Sequence, residues 1–243
     1  MLSMSGSSSP APAIGPLIAL IGCDGTGKST LANELAERLN QYRPARTCYL
    51  GLGSGDLGRR IGKLPLIGPV LEDRLTRKAK KTRSPGEKIP GPLTALVVYV
   101  FSLLRYRRFL QMQQARKLGI AVITDRYPQT EMAGFYDGPG LSAARPGSRF
   151  VAFLARSELR LYRKMAAVKP DLVIKLDVDP EIALSRKPDH DLAALKKKAA
   201  ATLKLTFGGA RTVTVDARPS YPVVRDEVIR LCKPILLAKP AMS

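Results

Sequence analysis

The sequence contains no tryptophan, a single histidine (His190) and three cysteines, and these scarcities narrow the chemistry open to it. The cysteines, at positions 23, 48 and 232, lie far apart and form no C-x-x-C pair. Neither a disulfide framework nor a cysteine zinc site is therefore expected, and unpaired cysteines fit a reducing, cytoplasmic location. His190 lies between two aspartates, as is typical of a solvated loop residue, and we assign it no catalytic role.

Acidic residues are also scarce. Lys and Arg number 40, whereas Asp and Glu number only 20, which gives a formal net charge of +20. Such a field favours anionic partners, which include nucleotides, nucleic acids and anionic membrane surfaces, unless it serves solubility alone. Aromatic residues make up only 6% of the chain and are not interleaved with the basic ones. This composition disfavours nucleic-acid binding, because single strands are held largely by aromatic stacking.

No hydrophobic run is long enough to cross a bilayer. The longest, residues 93–104, is far shorter than the roughly 20 residues that a membrane-spanning helix needs. We expect it to form a helix buried in the core. Since Arg105, Arg107 and Arg108 follow directly, a helix lying at a membrane surface is the alternative. Residues 1–14 are rich in Ser, Pro and Ala without a signal-peptide pattern, and we expect a disordered tail there.

Short apolar runs alternate with helical stretches through the rest of the chain. Uninterrupted apolar runs are typical of strands that are covered on both faces. Their alternation with helices predicts an α/β fold around a parallel sheet. Ligand-binding residues then gather at the carboxyl ends of the strands. The runs are residues 17–21, 47–50, 121–124, 172–176 and 212–215.

The first run leads into residues 22–30, Gly-Cys-Asp-Gly-Thr-Gly-Lys-Ser-Thr, which fit the phosphate-binding pattern G-x-x-x-x-G-K-[ST]. Glycines let consecutive N–H groups point at one centre, and the next helix adds the positive end of its dipole. Lys28 can reach the β- and γ-phosphates of ATP, and Ser29 can offer its hydroxyl to Mg²⁺. The predicted ATP-binding residues are Gly22, Gly25, Thr26, Gly27, Lys28, Ser29 and Thr30.

The third run ends at Asp125 and Arg126. In a parallel sheet, a carboxylate at this place can lie beside the phosphate-binding loop and hold Mg²⁺ through a water molecule. The guanidinium of Arg126 can bind a phosphate through two N–H groups. Lys28, Asp125 and Arg126 are therefore predicted to be catalytic, with Ser29 and Asp125 as the magnesium-binding residues.

With both features present, the chain resembles the thymidylate kinase family of nucleoside monophosphate kinases. The resemblance implies a P-loop kinase fold, in which helices flank a five-stranded parallel sheet and a short lid is mobile. It also implies transfer of the γ-phosphoryl group of ATP to an acceptor phosphate. Four stretches carry the resemblance: the loop with its internal Asp24, Asp125-Arg126-Tyr127, residues 169–186 and residues 213–217.

The same resemblance implies roles outside the loop. Asp24 and Arg126 would bind the acceptor, and Arg105 and Arg107 are approximate counterparts of a further arginine of the family. Gly25 follows the acidic residue of the loop, and in such family members the catalytic cation comes from the lid. Arg186 is the first candidate for this cation and Lys187 the second. Residues 15–240 would form the kinase domain, with a basic insertion and acceptor region at residues 51–92 and the lid at residues 185–192.

The chain departs from the family after the second strand. The family usually has an Arg-Glu-Pro-Gly-Gly-like stretch there, whereas residues 49–60 are rich in glycine and lack it. The acceptor therefore stays open between a dTMP-like nucleotide and a sugar, glycolipid or polysaccharide intermediate. A third hypothesis is a non-catalytic nucleotide-binding adaptor that docks on nucleic acid or on a membrane. We expect the chain to be cytoplasmic, with peripheral attachment to a membrane as the alternative. A homodimer is compatible with each reading.

Overall fold

The computed structural model describes residues 14–52, 91–143, 145, 147–186 and 191–236. Most of the predicted tail and basic insertion, the centre of the predicted lid with Lys187 and His190, and the end of the predicted kinase domain lie outside the described residues. The proposed domain boundaries stay predictions.

Five strands form one parallel sheet in the order β2-β3-β1-β4-β5. The central strand β1 is completely buried, and β3 and β4 beside it are almost completely buried, as uninterrupted apolar runs predict. The predicted α/β fold with a five-stranded parallel sheet and flanking helices is confirmed. The strands are β1 (Leu17–Gly22), β2 (Ala45–Tyr49), β3 (Ala121–Asp125), β4 (Leu172–Asp177) and β5 (Thr212–Asp216).

Helices cover both faces of this sheet. One hydrophobic core lies beneath α1 and α6, and a second lies beneath α2 and α3 on the opposite face. Side-chain caps explain two of the starts: Ser148 accepts from the backbone N–H of Val151, and Asp191 accepts from that of Ala194. The helices are α1 (Lys28–Leu39), α2 (Pro92–Lys117), α3 (Arg149–Ala166), α4 (Pro180–Arg186), α5 (Leu192–Lys204) and α6 (Tyr221–Leu236).

Helix α2 differs from the expectation of a buried core helix. It extends well beyond residues 93–104, and only one of its faces, which includes Ala95, Val98 and Phe101, is buried. The opposite face exposes several large apolar side chains, among them Leu93 and Val100. The apolar run is therefore shared between the core and the outer surface. Over the described part of the chain, no helix combines the length and the apolar character needed to cross a membrane.

The strand register brings the predicted site residues to one edge of the sheet. Leu20 of β1 lies beside Asp125 at the end of β3, and Gly22 lies beside Leu176 near the end of β4. Because the strands are parallel, the loop after β1 and the residues after β3 leave the sheet at the same edge. This edge holds the candidate active site.

Candidate active site

The phosphate-binding loop depends on glycine at two positions. Gly25 and Gly27 have φ angles of +90° and +81°, in the left-handed region that other residues rarely adopt. A Cβ atom at Gly25 would lie 2.7 Å from the carbonyl oxygen of Ala183 in α4. At Gly27, by contrast, a Cβ atom would meet no described atom within 4 Å. The loop thus packs against α4 on one side and is open to a ligand on the other.

Lys28, the first residue of α1, is buried under this loop. Its Nζ donates to the carbonyl oxygen of Cys23 at 2.6 Å and to Oγ1 of Thr26 at 3.2 Å. Burial, reinforced by the charge of Arg126, lowers the pKa of Lys28 from 10.5 to about 8. Phosphate oxygens placed at the loop would favour the charged form of this lysine.

Ser29 and Asp125 form the second part of the site. The hydroxyl of Ser29 donates to Oδ2 of Asp125 at 2.5 Å. Oδ1 of Asp125 is buried and has no hydrogen-bond partner among the described residues. A hydroxyl beside an unpartnered carboxylate oxygen fits the sparse protein contribution typical of Mg²⁺ bound to a nucleotide. Within residues 14–52, 91–143, 145, 147–186 and 191–236, no group of three or more His, Cys, Asp or Glu side chains could hold a metal by itself.

Arg126 lies between two carboxylates beside the loop. Its guanidinium donates to Oδ1 of Asp24 at 2.5 Å and to Oδ2 of Asp137 at 3.4 Å. Its φ angle of 73° turns the chain sharply at the end of β3. Such a conformation costs on the order of 1 kcal/mol for a residue with a side chain. The two residues that the resemblance assigns to acceptor binding, Asp24 and Arg126, are thus in direct contact.

A further cation, Lys198 of α5, joins this group. Its Nζ donates to Oδ2 of Asp24 at 2.6 Å and lies 5.8 Å from the ring centroid of Tyr136. Burial alone would raise the pKa of Asp24, but Lys198 and Arg126 together hold that pKa well below its ordinary value. Sequence reasoning missed Lys198, because it lies in a run of three lysines that reads as a solvated helix face.

Arg105 does not reach the cleft, contrary to the prediction that it binds the acceptor. Its side chain is completely buried between α2 and α3. It donates to the carboxylate and to the carbonyl oxygen of Asp137 and, at 2.9 Å, to the hydroxyl of Tyr162. Since Asp137 also contacts Arg126, Arg105 connects to the site only through that aspartate. Its neighbour Arg107 is exposed on the outer face of α2.

The segment that follows β3 contacts the end of β1, where the phosphate-binding loop begins. The hydroxyl of Tyr136 accepts from the backbone N–H of Gly22 at 2.5 Å and donates to the Gly22 carbonyl oxygen at 2.7 Å. Tyr136 and Asp137 both have positive φ angles. Gln129 holds this conformation by donating to the carbonyl oxygens of Met132 and Phe135. Strained backbone of this kind is common at functional sites. No sequence signal marked these residues beyond their position after Asp125-Arg126-Tyr127.

Two clefts flank the loop. The first, of about 380 Å³, is lined by Tyr49 and by most of the predicted site residues, namely Asp24, Gly25, Gly27, Lys28, Ser29, Thr30, Asp125, Arg126 and Arg186. The second, of about 390 Å³, lies between the loop and the segment from Ala217 to Tyr221, and Thr26 lines it. Arg186 lines both clefts, and its guanidinium donates to the carbonyl oxygen of Ala217 at 3.2 and 3.3 Å.

Comparison with known proteins gives three informative relatives, although no protein-family model matches the chain. The chain is 42% identical over 227 residues to the "Uncharacterized ATP-binding protein YghR" of Escherichia coli strain K12, covering 93% of this chain and 90% of that protein. It is 43% identical over 215 residues to the "Uncharacterized ATP-binding protein YghS" of the same strain, covering 88% and 89%. A "Probable thymidylate kinase" of Archaeoglobus fulgidus is 28% identical over 234 residues, covering 92% and 97%.

Proposed function

The chain belongs to the family of ATP-binding proteins that includes YghR and YghS, and from this membership we propose that it is an ATP-dependent phosphotransferase. One observation carries the proposal. The first cleft joins a phosphate-binding loop and its Ser29–Asp125 pair to an arginine, Arg126, that faces the loop. An arginine at this place can bind the phosphate of an acceptor, which a protein that only binds a nucleotide does not require.

We expect the second cleft to hold the base of ATP. The triphosphate would then extend over Gly25 and Gly27 toward Lys28, with Arg186 beside it at the junction of the two clefts. Mg²⁺, held by Ser29 and through water by Asp125, would supply charge neutralisation of the phosphate oxygens. We propose Arg186 as the lid cation that stabilises the transferring group, because it lines both clefts.

In the proposed reaction with a nucleoside monophosphate, an oxygen of the acceptor phosphate attacks the γ-phosphorus of ATP. The bond between this phosphorus and the β–γ bridging oxygen breaks, and ADP leaves with the electron pair. Lys28 and Arg126 contribute by stabilising charge that is spread over the transferring oxygens, rather than by covalent chemistry. In the structure Arg126 and Lys198 both bind Asp24, and an acceptor phosphate would compete with Asp24 for these cations.

We propose a nucleoside monophosphate resembling dTMP as the acceptor. The direct contact of Asp24 with Arg126 and the similarity to a probable thymidylate kinase support this choice. A sugar or glycolipid acceptor is the second candidate. It is favoured by the burial of Arg105, which leaves Arg126 as the arginine at the acceptor side of the first cleft among the described residues.

The test is release of ADP by the purified full chain with ATP and Mg²⁺, measured against a panel of nucleotides, sugars, phosphorylated sugars and glycolipids. Lys28→Ala should lower kcat by at least about a hundredfold, because positioned cations in a dry site contribute that much. Lys197→Ala, which removes an exposed lysine on α5, is the matched control and should leave turnover unchanged.

Near-wild-type turnover by the Lys28 variant would contradict the site assignment. Turnover with dTMP but with no sugar would exclude the second candidate, and the opposite pattern would exclude the first. ATP binding without any transfer to the panel would favour the adaptor reading.

A further inference from the structure

The outer faces of α2 and α3 carry an unusual number of exposed apolar side chains. The two helices pack side by side on one face of the sheet, so their outward sides form a common surface. The α2 side chains recur every three or four residues and therefore share one face of the helix. We call this set the outer apolar stripe; it comprises Leu93, Leu96, Val100, Leu103 and Leu104 of α2 and Phe150 and Phe153 of α3, which are 38–64% exposed.

The charged side chains that α2 and α3 expose beside the outer apolar stripe are all cations. Arg107 continues the α2 face, and α3 exposes Arg149, Arg156, Arg160 and Arg163. Helix α2 contains no Asp or Glu. The sole acidic residue of α3, Glu158, is completely buried, where it accepts from the hydroxyl of Ser102 and from the backbone N–H of Leu141. The exposed surface of these helices is therefore apolar and positive, without an acidic side chain.

We propose that this surface binds the anionic face of a lipid membrane. Large apolar side chains in the plane of a bilayer interface enter the boundary between headgroups and acyl chains, while arginines bind the lipid phosphates. Both contributions are present along the same two helices. The net charge of +20 adds long-range attraction to such a surface.

Charge favours a membrane over a second copy of the chain, and over nucleic acid, as the binding partner of this surface. A second copy of this chain docked on the outer apolar stripe would bring the arginines of two α3 helices together, and like charges at close range oppose association. Nucleic acid would satisfy the arginines but would leave the leucines and phenylalanines without a partner. Anionic lipid satisfies both sets.

Co-sedimentation with vesicles tests this proposal. The full chain should bind vesicles of phosphatidylcholine mixed with phosphatidylglycerol, bind pure phosphatidylcholine much less, and lose binding as salt rises. Arg156→Gln with Arg163→Gln should weaken binding about 25-fold, since each arginine near an anionic surface contributes about fivefold. Leu96→Gln with Leu103→Gln should weaken it to a similar degree.

Two matched double variants serve as controls. Lys204→Gln with Lys233→Gln removes two exposed charges elsewhere, and Leu203→Gln with Val223→Gln removes two exposed apolar side chains elsewhere. Both should bind vesicles like the wild type. All variants should keep wild-type ADP release, because none of these residues lines either cleft. Failure of the proposed function would therefore not mimic failure of this proposal.

Two results would overturn the proposal: the absence of binding to anionic vesicles, and equal weakening of binding by the control variants. If the first result comes with self-association in ultracentrifugation that the Leu96 and Leu103 substitutions abolish, the outer apolar stripe is assigned to a second copy of the chain.

Discussion

The charge of Lys28 depends on what occupies the first cleft. Its pKa of about 8 lies below the ordinary value of 10.5, because the folded chain buries it. The charge on buried Lys28 therefore lowers the free energy of unfolding below pH 8. This loss of stability disappears as the pH rises from 8 toward 10.5. Phosphate oxygens at the loop reverse the preference, since they stabilise the charged lysine.

We predict that ATP binding takes up protons. Near pH 8 the uptake should reach about half a proton per site and fall toward zero near pH 7, where Lys28 is already charged. Titration calorimetry in buffers of different ionisation enthalpy measures it directly. Lys28→Arg, which stays charged throughout, should bind without uptake. The same uptake in both proteins would mean that another group titrates.

Individual side chains of the site followed less completely from the sequence than the strands and helices did. The loop pattern and the Asp-Arg pair after β3 located most of the first cleft, because both are short and local. Lys198 and Asp137 were missed, since their partners Asp24 and Arg105 lie far away in the sequence. Arg105 was predicted to bind the acceptor because it is an approximate counterpart of an arginine of the thymidylate kinase family. Only the fold supplies the buried carboxylate that pairs with it.

Among the elements, α2 and the segment after β3 are joined by the buried pair of Arg105 and Asp137. We predict that Arg105→Met destabilises the chain by about 3–5 kcal/mol, because it leaves a buried carboxylate without its main partner. The double variant with Asp137→Leu should lose less than the sum of the two single changes. Urea unfolding measures these values, and the exposed neighbour Arg107→Met is the matched control.

The same pair has a kinetic consequence at this scale. Asp137 contacts Arg126, so Asp137→Asn should raise KM for the acceptor more than KM for ATP. Equal effects on both substrates would indicate general loosening of the fold.

The buried strands β1, β3 and β4 followed from the sequence, because strands that are covered on both faces are largely apolar. The full length of α2 did not, since its second half exposes mostly polar side chains and its buried face there includes Arg105 and Arg116.

The carboxylates of Asp137 and Asp24 should make the folded chain lose stability in acid. Burial would raise the pKa of Asp137, but Arg105 and Arg126 hold it below the ordinary value of 3.8, and Asp24 is lowered as well. Such groups contribute stability that is fully present above the unfolded pKa and is lost as the pH falls through the folded one. Protonation also increases a net charge that is already +20.

We therefore predict that the free energy of unfolding falls steadily as the pH is lowered from about 5 to 3. The slope, measured by urea unfolding at each pH, should be shallower for Asp137→Asn, which cannot titrate at this position. Identical slopes would show that other carboxylates dominate the acid transition. The comparison uses slopes, because the substitution itself changes the stability at neutral pH.

The placement of α2 and α3 on one face of the sheet fixes an orientation at any surface they contact. With both helices lying flat, the strand axes run parallel to that surface and α1 and α6 face away from it. The carboxyl edge of the sheet, with its cleft, then opens sideways along the surface rather than toward it or into the solution. A chain bound to a membrane would meet acceptors that diffuse along its surface, whereas ATP would arrive from the solution.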